Sequence, residues 1–188
     1  MLEPLTVLGY AAAVTDRIKI GTSVLIVPYR DPIVSAKTIA TLDVLSNGRF
    51  IFGVGIGWLE EEFRALRLRK RDRVPQTREA LEAMKRLWTE DDPEFHGEFY
   101  DFAGIKFSPK PRQRPHPPIW FGGNTVPALR RAVELGQGWH AVWASPEEVA
   151  EKAAIIRDLC EAQGKRFEDF TITINVNNKV PMTCLLYT

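Results

Sequence analysis

Arg49-Phe50-Ile51-Phe52-Gly53-Val54-Gly55-Ile56-Gly57-Trp58 is an apolar run whose second half carries glycine at alternate positions, and Glu60-Glu61-Glu62 follows it. Asn47-Gly48 marks a turn before it, so the stretch reads as a buried strand that runs into an acidic helix start. Four other runs share its composition, at 18–27, 118–122, 138–143 and 170–176. Nearly continuous β-branched and aromatic runs of this kind suit parallel strands covered on both faces.

Helical patterns lie between the runs. Ala80, Leu81, Met84, Leu87 and Trp88 fall on one helix face, as do Leu129, Ala132 and Val133, and as do Val149, Ala153, Ile156 and Cys160. Asp31-Pro32 offers an N-cap with proline in the first turn, and Ser145-Pro146-Glu147-Glu148 has the form of a capping box. Asn47-Gly48, Gly136 and Gly164 supply the stops. Strand and helix alternate, which predicts an α/β fold with a parallel sheet. Residues 91–117 break the alternation: Phe95, Phe99, Tyr100, Phe102 and Phe107 stand among prolines and glycines without helical spacing. This excursion loop is either a lid or wall over one end of the sheet, or a loop packed on its own domain.

The 188 residues carry 25 Lys+Arg against 24 Asp+Glu, a net charge of +1 that marks neither nucleic acid nor an anionic membrane as partner. Small-molecule chemistry is the expectation. Cys160 and Cys184 are too few for a disulfide framework, residues 1–15 have acidic Glu3 and no basic leader, and no apolar run approaches a bilayer span, so a cytoplasmic location is expected. Arg67, Arg69, Lys70, Arg71 and Arg73 form a cationic cluster, either a solvated helix end or an electropositive lip for an anionic tail. His96, His116 and His140 lack metal-ligand spacing and read as loop or strand-end residues, and no metal site is expected. Patterns for serine hydrolases, zinc proteases, redox dithiols and P-loop nucleotide sites do not occur.

Two strand ends can hold a ligand. Alternate glycines at 53, 55 and 57 strip side chains from one face, which lets a flat ring approach the backbone; equally, they can relieve crowding at a barrel corner. A dinucleotide fingerprint competes, but Trp58 stands where its third glycine belongs. Ile119-Trp120-Phe121-Gly122-Gly123-Asn124-Thr125 leads into a helix with Pro127 in its first turn, where free N–H groups suit a phosphate, or where Asn124 or Thr125 simply caps the helix. Loops after parallel strands open on one face, where catalytic sites of barrels are built.

The blocks Arg17-Ile18-Lys19-Ile20-Gly21-Thr22-Ser23-Val24, Asp31-Pro32-Ile33-Val34 with Lys37, Ala40 to Phe50, Gly53 to Trp58, Phe107 to Pro111, Pro117 to Asn124 and Gly136-Gln137-Gly138-Trp139 closely resemble, in order and spacing, the luciferase-like monooxygenase superfamily. They look most like its branch that uses the deazaflavin coenzyme F420. The resemblance implies a TIM (β/α)8 barrel of the bacterial luciferase-like type, with the cofactor ring over the strand ends. It makes Ser23-Val24 the family's non-prolyl cis peptide, a bulge that backs the ring. It sets Gly55, Ile56, Gly57 and Trp58 beside the ring and its ribityl chain, and Gly123, Asn124 and Thr125 on the phosphate side. Some F420 dehydrogenases carry a catalytic glutamate where Trp58 stands, so that role is not carried over, and no catalytic residue is named.

The chain is thus expected to be one luciferase-like domain over 1–188, a barrel incomplete at both ends, since a closed one needs roughly 250 residues, with an off-pattern tail at 177–188. The expected activity is an F420-dependent oxidoreductase that passes hydride between deazaflavin C5 and a small organic substrate. FMN is the alternative cofactor, in a luciferase-like monooxygenase, and a non-catalytic truncated remnant is the alternative from another class. The complete protein is expected to be a homo-oligomer that binds neither nucleic acid nor membrane.

Overall fold

The computed structural model describes residues 2–175, so Val176, the tail at 177–188 and Cys184 lie outside the described part. In chain order come α1 (Pro4–Val14), β1 (Ile20–Gly21), β2 (Leu25–Ile26), α2 (Pro32–Leu45), β3 (Phe50–Gly55), α3 (Glu60–Ala65), α4 (Arg73–Thr89), β4 (Phe95–His96), β5 (Asp101–Phe102), β6 (Ile119–Gly122), α5 (Val126–Leu135), β7 (Gly138–Val142), α6 (Pro146–Ala162) and β8 (Thr171–Asn175). The main sheet is parallel, in the order β1-β3-β6-β7-β8, with β2 also on β3. It curls into a half-barrel with helices on its convex side.

Alternation along the strands decides what each face does. Phe50, Phe52, Val54, Ile119, Phe121, Trp139 and Ala141 are all but completely buried beneath the helices. Burial of each large side chain contributes about 1.5–3 kcal/mol. Trp88 of α4 meets Phe52 edge-on, centroids 6.3 Å apart, and its indole N–H donates to the Ala36 carbonyl at 3.1 Å. The intervening residues, among them Gly53, Gly55, Trp120, Gly122, His140, Thr173 and Asn175, face the concave side.

The helix signals hold. Asp31 accepts from the N–H groups of Ile33 and Val34, Ser145 and Glu148 close a capping box, and Asn47, Gly48 and Gly164 take the left-handed conformation. Helix α1 was not expected, because its apolar residues surround it rather than forming a stripe. Glu3 caps it by accepting from Thr6 N–H at 2.7 Å, with Pro4 in the first turn.

The excursion loop packs on its own domain. Strands β4 and β5 pair antiparallel, Phe95, Phe102 and Phe107 are buried, and the anchors are on α2 and α4: Gln113 binds Asp43, and Glu79 accepts the N–H groups of Glu98, Phe99 and Tyr100 at 2.7, 2.8 and 3.2 Å. The lid reading is therefore set aside. Glu79→Ala removes the single acceptor of three backbone donors. It is expected to raise hydrogen exchange at 98–100 by about tenfold or more while the sheet amides stay protected; unchanged exchange there would contradict this role.

Candidate functional site

The run 18–27 is not one strand. Ile20 and Gly21 pair with Phe50 and Ile51, and Leu25 and Ile26 pair with Val54 and Gly55. Four residue steps from Gly21 to Leu25 thus face three from Ile51 to Val54, and the extra residue forms a bulge at Thr22-Ser23-Val24. The Ser23-Val24 peptide is cis. Thr22 anchors the bulge, its hydroxyl donating to the Gly53 carbonyl at 2.7 Å.

The glycines of β3 make room for this bulge. A methyl group in place of the Gly53 side-chain hydrogen would lie 1.7 Å from the Thr22 carbonyl oxygen, and one on Gly55 would lie 2.6 Å from Val24 Cγ2. Gly122 on β6 is vacated for Val24 as well, at 3.0 Å from Cγ1. At Gly57, with φ 76°, the Phe63 ring of α3 takes the space. The gaps left by these glycines are therefore not open to a flat ring: the chain fills them itself with Thr22, Val24, Ile26 and Phe63. Ile56 follows half-buried, and Trp58 is 75% exposed.

On the next strand end, neither Asn124 nor Thr125 caps α5. The Asn124 side chain is spent on β7, donating to the Val142 carbonyl at 2.6 Å and accepting from Val142 N–H at 3.1 Å, while the Trp139 indole donates to the Gly123 carbonyl at 2.8 Å. These bonds fix the loop and leave the start of a ten-residue helix free of side-chain acceptors, so its positive end suits an anion. After β7, Trp143 is 69% exposed with φ 51°. Trp58, Val24 and Trp143 therefore offer apolar surface on one end of the sheet, beside an uncapped helix start. That set fits a flat ring with an anionic tail.

The sequence reading missed the polar part of this face. Ser23 Oγ lies 2.7 Å from His140 Nε2 and 3.2 Å from Asn175 Nδ2, and His140 Nδ1 lies 2.8 Å from Thr173 Oγ1. Period-two alternation on β7 was the available signal, since buried Trp139 and Ala141 leave His140 and Val142 on the concave face. Burial holds the His140 imidazole below its ordinary pKa. The other histidines stay structural. His116 packs against Trp88 with its pKa lowered by burial, and exposed His96 pairs with Asp101, a hydrogen bond that raises its pKa. Burial, reinforced by the bond to Glu62, pushes the Tyr29 phenol up to about 12, so it keeps its proton at neutral pH.

Arg69, Lys70, Arg71 and Arg73 of the cationic cluster line a surface cavity of about 670 Å³ between α3 and α4, which shares no residue with the strand-end set. Asp72 pairs there with Arg69 at 2.5 Å and Arg71 at 3.7 Å. Among the described residues no group of three His, Cys, Asp or Glu could hold a metal ion, and no helix is long and apolar enough to cross a membrane.

A sequence model of the luciferase-like monooxygenase family matches residues 1–179. The FMNH2-dependent dimethylsulfone monooxygenase of Pseudomonas putida is 33% identical over 165 residues, covering 86% of this chain and 45% of that protein. The F420-dependent glucose-6-phosphate dehydrogenase of Amycolatopsis mediterranei is 33% identical over 169 residues, covering 86% and 50%. The crystal structure of the monooxygenase RslO1 from Streptomyces bottropensis superposes with a TM-score of 0.79 at 32% identity, over 87% of this chain and 51% of that one. The chain spans about half the length of the curated relatives it matches.

Proposed function

Because the chain belongs to the luciferase-like monooxygenase family, we propose that it carries the cofactor cradle of an F420-dependent oxidoreductase acting on a small organic substrate. The observation that supports this most is the Thr22-Ser23-Val24 bulge seated in the gap left by Gly53, Gly55 and Gly122, which turns Val24 toward the mouth of the half-barrel. In this reading Val24 backs the ring, Ser23 meets its edge, and Gly55, Ile56 and Gly57 shape the adjoining strand end. Trp58 covers apolar surface. Gly123, Asn124 and Thr125, at the positive end of α5 with its Val126 N–H, take the phosphate. The bound deazaflavin would supply hydride chemistry at C5; the protein's part is to orient the ring, exclude water from it and hold protons near it. The F420-dependent relative from Amycolatopsis supports the reading.

Reduced FMN is the second reading, in a monooxygenase, and the dimethylsulfone monooxygenase relative at equal identity favours it. The complete protein in either reading is a homo-oligomer. Titration of the 188-residue chain with F420 and with FMN, followed by fluorescence, discriminates the two. F420 is expected to bind at least tenfold tighter, and Trp58→Ala to weaken it about fivefold with the circular dichroism spectrum unchanged. Tighter binding of FMN would transfer the assignment to the flavin, and no binding of either would remove the cradle reading.

A further inference from the structure

Ser23, His140, Thr173 and Asn175 come from the bulge and from two adjacent strands, and one set of directions makes all four hydrogen bonds among them and the Trp139 carbonyl at once. The Asn175 amide nitrogen only donates, so Ser23 Oγ accepts from it at 3.2 Å. The Trp139 carbonyl only accepts, so the Thr173 hydroxyl donates to it at 3.4 Å and Thr173 Oγ1 accepts from His140 Nδ1–H at 2.8 Å. An imidazole with its proton on Nδ1 presents a bare Nε2, which takes the Ser23 hydroxyl hydrogen at 2.7 Å. Ser23 Oγ has then given away its hydrogen and one lone pair. Its remaining lone pair is turned to the open concave face, where Ser23 is exposed.

We propose that His140 is the positioning residue of the cradle: by accepting the hydrogen bond of the Ser23 hydroxyl it leaves Ser23 Oγ only a lone pair to offer, so this edge selects a ligand that presents an N–H or O–H donor. Protonation of His140 reverses the arrangement. Nε2–H then donates to Ser23 Oγ and fills its second lone pair, and the hydroxyl hydrogen swings out to the concave face, where a donor-bearing ligand loses its partner. The groups facing His140 are Ser23 from the bulge, Trp120 and Gly122 from β6, and Thr173 and Asn175 from β8. None of them is charged, and burial alone depresses the imidazole pKa. The change of polarity therefore falls below the ordinary imidazole range, and affinity for a donor-bearing ligand is present above that transition and lost as pH falls through it.

The identity of the ligand rests on the cradle reading, whereas the tautomer of His140 does not, so two measurements separate them. The first is long-range proton–nitrogen correlation on the ¹⁵N-histidine-labelled chain, with His140 assigned from the signal lost in His140→Gln. It is expected to show the Nδ1–H tautomer at pH 7.5, and an Nε2–H tautomer would overturn the proposal with no ligand involved. The second is FMN affinity between pH 5 and 8. The wild-type chain is expected to weaken about fivefold to tenfold at the acid end relative to His140→Gln, whose comparison removes the titration of the phosphate itself. Equal pH profiles, or tighter wild-type binding at pH 5, would overturn it. A merely structural histidine would change affinity in the variant at every pH but leave the profile parallel. If neither FMN nor F420 binds, the cofactor reading falls, and the tautomer alone decides the role of His140.

Discussion

Arg49→Met is expected to lower the thermal midpoint of the chain by about 10 °C, a loss of about 3–5 kcal/mol. The Arg49 guanidinium makes five hydrogen bonds: to the carbonyls of Ala12, Thr15, Ile18 and Ser46, and to the Thr15 hydroxyl, all between 2.7 and 3.0 Å. Those acceptors belong to the end of α1, the approach to β1 and the turn before β3, so one planar fork joins three segments at the N-terminal edge of the sheet. Methionine keeps the aliphatic stem and removes every donor. The freed carbonyls are partly buried and recover only part of their bonding from water. Arg49→Lys is expected to do nearly as badly, because a single ammonium cannot reach acceptors spread around a guanidinium plane. Circular dichroism melts of the three proteins are the measurement, and a midpoint for Arg49→Met within 2 °C of the parent would show that the fork is not what joins these segments.

The blocks that make this family legible in sequence are mostly such structural devices. Ala40 to Phe50 reads clearly because Asp43 is fully buried and accepts from Gln113 twice, Asn47 and Gly48 take positive φ, and Arg49 ties the corner; each position tolerates few residue types. The strand-helix order, the caps and the cis bulge were therefore readable. Less readable was what depends on contacts between distant segments. The glycines of β3 suggested an open strand end, but their gaps are filled by Thr22 and Val24, some thirty residues earlier in the chain. His140 looked isolated because its partners Ser23 and Thr173 lie 117 and 33 residues away. Trp143 gave no signal, since an exposed aromatic after a strand has no periodicity of its own. The aromatic excursion at 91–117 suggested a wall for a substrate, yet Phe95, Phe102 and Phe107 are buried in the domain's own core and Phe99 and Tyr100 half-buried, as apolar side chains pack wherever a helix face is free.

Gly53→Ala and Gly55→Ala should separate folding from binding, although the residues are two apart on one strand. At Gly53 the added methyl would fall 1.7 Å from the Thr22 carbonyl oxygen, a backbone atom that cannot rotate away, and Thr22 is also bound through its hydroxyl to the Gly53 carbonyl. Relief requires β1 and β3 to part, which breaks the pairing of Gly21 with Ile51. Overpacking of this kind costs about 3 kcal/mol or more, and the midpoint is expected to fall by about 10 °C. At Gly55 the methyl meets side chains instead, Val24 Cγ2 at 2.6 Å and the terminal Cδ1 of Ile26 at 2.8 Å. Ile26 can turn, but Val24 is also held against Gly122 and has only one way to move, outward over the concave face. The fold is expected to survive with a loss of about 1–2 kcal/mol, while affinity for F420 or FMN falls more than tenfold because the surface that backs the ring has shifted. Paired melts and fluorescence titrations distinguish the sites. A Gly55→Ala chain that binds like its parent would mean that Val24 is not the floor of the cradle, and a Gly53→Ala chain as stable as its parent would mean that the bulge does not sit where Thr22 and Gly53 are placed.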